Sequence, residues 1–336
     1  MILSIAAVVV GLVLLVWSAD RFVDGAVGMA RFFGMSTFLI GMLVVGFGTS
    51  APEMVVSILS ALNDTPQLAL GNAYGSNIAN IALILGVTAL VTPLVVQKQA
   101  MSRDIPILIA MTVLTVLLLM DGNVSFADGA VLLLAFVVIT VFNVSMELHA
   151  KHKRKKDADT PNPDMPVENV SIVKSTLWLL IGLALLIASS RMLVWGAVNM
   201  AHFLGVSDLL IGLTIVAVGT SLPELASSIA AARRGENDLA VGNIIGSNLF
   251  NTLVVVGIAS VITPIKAMDA DVLSRDLPIM SALTLLLFLI CFPLFKSKRA
   301  KISHKKNERF GFGRIGGALF LSLYVAYLVL LGIQAV

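Results

Sequence analysis

The chain has 336 residues, of which 58% are hydrophobic and only 13% charged, with a formal net charge of +3. A soluble domain cannot hide that much apolar surface, and an outer-membrane barrel would show short alternating segments, so the composition points to a polytopic helical membrane protein. The basic residues sit in loops between apolar runs, where membrane orientation is their ordinary cause, which argues against nucleic acid as a partner; the single cysteine, Cys291, excludes an internal disulfide.

The N-terminal run from Met1 to Trp17 has no preceding Lys or Arg, so it reads as a first span and not as a cleaved signal peptide. Apolar runs separated by charges or Pro/Gly/Asn clusters then predict spans over 2–18, 37–62, 68–91, 104–120 and 127–147. A second set follows over 173–190, 208–232, 239–262, 277–295 and 314–334. Between the sets, the charged stretch Lys151–Asn169 contains Pro161, Pro163 and Pro166 and reads as a flexible linker. The expected organisation is a first five-helix repeat over 1–147, a cytoplasmic linker over 148–172 and a second repeat over 173–336.

The two sets are copies. Gly48-Thr49-Ser50-Ala51-Pro52-Glu53 returns as Gly219-Thr220-Ser221-Leu222-Pro223-Glu224. Gly71-Asn72, Gly75-Ser76-Asn77 and Asn80 return as Gly242-Asn243, Gly246-Ser247-Asn248 and Asn251, all at an offset of 171. Ser102-Arg103-Asp104-Ile105-Pro106 returns as Ser274-Arg275-Asp276-Leu277-Pro278 at 172. Five spans per copy is an odd number, so the second copy enters the membrane in the opposite sense, and a site is expected near the midplane. With the first span running inward, twenty of the 23 basic residues fall on the cytoplasmic side and only Arg191, Lys266 and Arg275 on the other. That asymmetry puts both termini outside. The basic run Lys296–Lys306 reads as part of this topology signal, and Trp17, Trp178 and Trp195 as interfacial anchors.

A glutamate inside a span costs roughly 2.5–3.5 kcal/mol or more, so Glu53 and Glu224 are there to act on something. Thr49, Glu53 and Ser57 recur at i, i+4 and i+8 on one helix face, as do Thr220, Glu224 and Ser228. Asn72, Ser76 and Asn80 form a third such stripe, and Asn243, Ser247 and Asn251 a fourth. Against lipid these stripes would be costly, so they should face one another inside the bundle. Pro52 and Pro223 should break their helices just before the glutamates, releasing carbonyls around Val45, Gly46, Val216 and Ala217 for a cation. Every donor offered is an oxygen. None of the four histidines nor Cys291 lies in the stripes, so Zn, Cu and Fe fit poorly and Ca²⁺ or Na⁺ fit well, while Mg²⁺ seldom uses an all-protein cage. Asp20, Asp24, Asp64, Asp121 and Asp208 fall at predicted span ends or in loops and read as solvated groups.

With both motif pairs in view, the chain resembles the calcium/cation antiporter superfamily, in particular the short bacterial inner-membrane calcium/sodium antiporters. The resemblance spans nearly the whole sequence: Glu53 to Asn80 is 27 residues, as is Glu224 to Asn251. It implies an all-α sodium/calcium exchanger fold of ten transmembrane helices in two inverted five-helix repeats, with the long first and sixth helices sliding against the rest. It implies a Ca²⁺ shared by Glu53, Glu224, Thr49 and Thr220. Sodium would be held by the same glutamates with Ser50, Ser76, Asn80, Ser221, Ser247, Asn251 and the carbonyls of Gly46 and Ala217. Some relatives carry an aspartate where Asn251 stands, so the ion ratio does not carry over. The expected activity is Ca²⁺/Na⁺ antiport, with no cofactor, no protein partner and no enzyme chemistry. A Ca²⁺/H⁺ or other cation/H⁺ antiporter is the alternative. The repeat argues against a channel, and the lack of His-Glu-x-x-His or a buried nucleophile–histidine pair argues against an intramembrane hydrolase.

Overall fold

The computed structural model describes residues 1–63, 65–97, 100–157, 171–205, 217–291 and 309–334. In chain order these form α1 (Ile2–Phe33), α2 (Thr37–Thr49), α3 (Ala51–Leu62), α4 (Gln67–Val91) and β1 (Leu94–Gln97). Next come α5 (Ser102–Leu119), α6 (Phe126–Asp157), α7 (Ile172–Phe203), α8 (Ala217–Thr220) and α9 (Leu222–Arg233). The chain closes with α10 (Asn237–Ile262), α11 (Val272–Cys291), β2 (Arg309–Phe312) and α12 (Arg314–Gln334). Among the described residues, eight helices are long and apolar enough to cross a bilayer, and the bent pair α2–α3 is a ninth if it counts as one span. The predicted span 208–232 lies partly outside the described residues; α8 and α9 are its described part. The carboxylates Asp64 and Asp208, the linker beyond Asp157 and the basic run Lys296–Lys306 also lie outside them.

Three sequence expectations change. The first and sixth spans do not stop at residues 18 and 190: α1 and α7 are each continuous to Phe33 and Phe203. Charges ended the apolar runs without ending the helices, because Arg21 pairs with Asp24 one turn on (3.2 Å) and α1 packs along α7 over its length. Asp20 and Asp24 are therefore helical residues, and both pair with Arg234. Finally, α6 continues to Asp157 through the first residues of the expected linker, a run of good helix formers.

Helices α1 and α7 are antiparallel, and their contacts come in exchanged pairs. A Cβ on Gly11 would meet Leu193, and one on Gly182 would meet Phe22. Gly25 lies on Ser175 and Leu179, and Gly196 on Ser4 and Val8. Each of these pairs maps onto the other by the same 171-residue offset. Residue i touching j while j's counterpart touches i's is the signature of a two-fold axis, here perpendicular to the two helices. Arg21 adds a tie, its guanidinium 5.7 Å from the Trp17 ring and 5.2 Å from the Trp178 ring.

The same exchange recurs at the ends of the bundle. After α4, β1 pairs antiparallel with β2, the segment before α12, Leu94 opposite Phe312. After α10, Ile265 pairs with Val124, the segment before α6 (2.8 and 2.9 Å). Backbone pairing thus joins the halves at two places, once as a two-stranded sheet and once as a single bridge, a feature the hydropathy pattern did not predict. At the centre stands α10, almost wholly buried, crossing α2 where Gly242 and Gly246 face the Phe38 and Met42 carbonyls with no side chain between.

Candidate metal centre

Glu53 owes its position to a broken helix. α2 and α3 bend by 47° at Ser50, which sits at φ −82°, ψ 5°. Pro52 occupies the first turn of α3, where its missing N–H is no loss and its ring presets φ. The second copy repeats this: Ser221 lies between α8 and α9 at φ −91°, ψ 6°, with Pro223 in the first turn of α9. Both serines thus hold the sparsely populated bridge conformation, one that recurs in active sites. Glu53 and Glu224 each fall in the first turn of a new helix, whose positive dipole end favours a carboxylate in an apolar interior.

The halves interlock around these breaks. Thr49 donates from Oγ1 to the Val45 carbonyl (3.1 Å) and reaches Asn243 Oδ1 (3.1 Å) and Ser247 Oγ (3.5 Å) on α10. Ser50 Oγ donates across the halves to Glu224 Oε1 (3.4 Å). Ser247 Oγ donates to the Gly46 carbonyl (3.5 Å), which also accepts the Ser50 N–H (3.1 Å). The Gly46 oxygen is therefore engaged, not stripped bare by the proline. In the second copy the Ser221 N–H turns to Val218 (3.1 Å) and bypasses the Ala217 carbonyl; Val216 lies outside the described residues.

Thr49, Ser50, Glu53, Ser76, Asn80, Ser221, Glu224, Ser247 and Asn251 are buried, and Thr220 is half-buried. Asn80 and Asn251 stand on matching π-helical segments, Ala79–Ile84 of α4 and Phe250–Val255 of α10. Such wide turns concentrate at functional sites, and nothing in the residue pattern announced them. Glu53 Oε2, Glu224 Oε2, Asn80 Oδ1, Asn251 Oδ1 and Ser221 Oγ are buried and accept no hydrogen bond from the described residues. Native interiors rarely tolerate orphaned oxygens, and several bordering one pair of breaks call for a common partner. Among the described residues no group of three His, Cys, Asp or Glu gathers, so the set offers two carboxylates plus neutral oxygens.

Asn72 and Asn243 hold a supporting role that spacing alone did not assign. Asn72 Nδ2 donates to the Glu53 carbonyl (3.2 Å) and Ser57 Oγ (3.4 Å). Asn243 Nδ2 donates to the Glu224 carbonyl (3.4 Å), Ser227 Oγ (3.1 Å) and Ser228 Oγ (2.9 Å). Their places in the stripes were visible; that they clamp the first turn after each break was not. Beside the breaks lies a cavity of about 260 Å³, lined by Pro52, Val56, Arg191, Trp195 and Thr220 among others.

Fold and site together define a membrane cation transporter. Residues 3–145 and 174–332 match the family described as Sodium/calcium exchanger protein. CaxA of Alkalimonas amylolytica is 43% identical over 335 residues, covering 98% of this chain and 99% of its own. The inner membrane protein YrbG of Escherichia coli (strain K12) is 41% identical over 299 residues, 87% of this chain and 90% of its own. A solved structure of the sodium-calcium exchanger NCX_Mj superposes with a TM-score of 0.77 at 33% identity, covering 97% of both chains. The chain belongs to the sodium/calcium exchanger family of cation antiporters and has its fold.

Proposed function

We propose that the protein exchanges Ca²⁺ for Na⁺ by alternating access, Na⁺ running down its gradient to drive Ca²⁺ out of the cytoplasm. It would lie in a bacterial inner membrane as two inverted five-helix repeats, ten helices in all, with both termini on the outer face. The exchanged contacts of α1 with α7 support the inversion, since their two-fold axis lies across the helices and hence along the membrane plane. The observation that carries the functional reading is the buried oxygen set at the two breaks, one carboxylate from each half, with its outer oxygens unpartnered.

In this reading Ca²⁺ is held by Glu53, Glu224, Thr49 and Thr220. Sodium uses the same glutamates with Ser50, Ser76, Asn80, Ser221, Ser247, Asn251 and the carbonyls of Gly46 and Ala217. Two ionised carboxylates balance one Ca²⁺ or two Na⁺, and an unneutralised pair at that depth is unfavourable, so one ion set replaces the other. The ions are cargo, and no cofactor enters. Proteoliposome uptake of radioactive Ca²⁺ tests the assignment. Uptake driven by an outward Na⁺ gradient is expected; uptake driven by a pH gradient and indifferent to Na⁺ would reassign the protein to proton antiport.

A further inference from the structure

One polar cluster lies away from the candidate site. Asp20 and Asp24 of α1 both pair with Arg234, the residue capping the C-terminus of α9: Arg234 Nε is 3.3 Å from Asp20 Oδ1, and Arg234 Nη1 bonds Asp24 Oδ1. Asp24 is also bonded by Arg21 (3.2 Å). These ion pairs fasten α1 to the helix that carries Glu224. Behind them Ala19, Phe22, Val23 and Ala26 are fully buried, where α1 packs along α7 and its neighbours. The larger cavity there, about 790 Å³, is lined by Arg21, Lys174, Trp178 and Glu236 among others and reaches none of the site residues.

The 171-residue offset says what the opposite end should contain. Asp20 maps to Arg191, Asp24 to Trp195 and Arg234 to Asn63. Glycines, leucines and serines of α1 and α7 persist through the repeat: Ser18 and Ser189 even bond the matching carbonyls of Leu15 and Leu186, both at 3.1 Å. The carboxylate–arginine cluster does not persist. An arginine, a tryptophan and an asparagine at the equivalent places cannot close by charge, and that end holds the 260 Å³ cavity bounded by Arg191, Trp195 and Thr220.

We propose that Asp20, Asp24 and Arg234 form an ionic latch that holds one end of the cation path closed and so favours the state open at the end carrying the termini. The asymmetry is what an exchanger of two inverted copies needs if its two access states are to differ in energy: identical copies would make them equivalent. The latch rests on the antiport reading for its purpose, since it presumes that α1 and α7 move against the remaining helices.

Its test needs no ion flux, which keeps its failure separate from a failure of that reading. In a Cys291→Ala background, Val56→Cys places one thiol on the cavity wall at the open end. The rate at which a charged thiol reagent labels it is followed on purified protein in detergent with choline as the only salt cation. Rapid labelling is expected with the latch intact. Arg234→Gln, and separately the isosteric pair Asp20→Asn with Asp24→Asn, should slow it measurably but by no more than about fivefold, the limit set by the strength of partly exposed ion pairs. Arg234→Lys keeps the charge and should label as the unaltered protein does. The latch is overturned by labelling that is slow from the start, by equal rates in all variants, or by Arg234→Lys behaving like Arg234→Gln.

Discussion

Glu53 and Glu224 are each 1% exposed, and each has one carboxylate oxygen without a described partner. Replacing either by Gln keeps the shape and removes half the charge of the proposed cation site. The expected loss of Ca²⁺ exchange is on the order of a hundredfold or more for each variant, as for breaking a buried charge pair; proteoliposome flux at wild-type levels in either one would contradict the shared site. A second residue-scale prediction separates the two asparagine clamps. Asn243 is fully buried and its side chain contacts Glu224, Ser227, Ser228 and Thr49, whereas Asn72 is half-buried with two contacts. Asn243→Ala strands several buried groups and should destabilise the protein by about 1–3 kcal/mol, Asn72→Ala by less. Thermal unfolding in detergent measures the difference, and an equal loss would mean the clamps are equivalent. The glutamates and their stripes were legible because a carboxylate in an apolar run has few bland explanations, and repetition removed the rest. The clamps were not, because an asparagine's spacing fixes its helix face and leaves its partner unspecified.

The broken helices were equally legible. A Pro just before a Glu in an apolar run forces a bend, and both copies break one residue upstream of the first turn that holds it. The long first and sixth helices followed from the resemblance but not from the apolar runs, because charges inside α1 are matched by partners on the same helix and on α7 and α9, which hydropathy cannot see. The π-helical segments under Asn80 and Asn251 leave no compositional mark at all. One element-scale consequence can be checked directly. The crossing of α2 and α10 places Gly246 against the Met42 backbone, so Gly246→Ala puts a methyl where only a hydrogen fits. Overpacking of this kind costs about 1–3 kcal/mol, and because α10 carries Ser247 and Asn251 the shift also displaces two of the proposed ligands. Reduced thermal stability together with weakened Ca²⁺ exchange is expected; normal values for both would show that the crossing has slack.

Across the whole molecule, the sequence repeat predicted two copies, and the odd span number predicted their opposition. It did not reveal that each copy completes the other, with Leu94 pairing to Phe312 and Val124 to Ile265. Nor did it show that α1 and α7 meet along their length through small residues related by the same offset. That interface decides how the molecule can move. Gly11, Gly25, Gly182 and Gly196 bring the two backbones so close that sliding one helix past the other would drive side chains into backbone at four places. Motion of the pair as one body against the remaining helices needs no such clash, only the exchange of contacts with α9 and its neighbours. A disulfide between Gly11→Cys and Leu193→Cys tests this, since a Cβ at Gly11 lies 3.0 Å from that of Leu193, close enough for a bridge after slight relaxation. In the Cys291→Ala background the oxidised protein should exchange Ca²⁺ at nearly the rate of the reduced one, because the bridge joins parts of one moving unit. Exchange that stops on oxidation and returns on reduction would show that α1 and α7 slip past each other during the cycle.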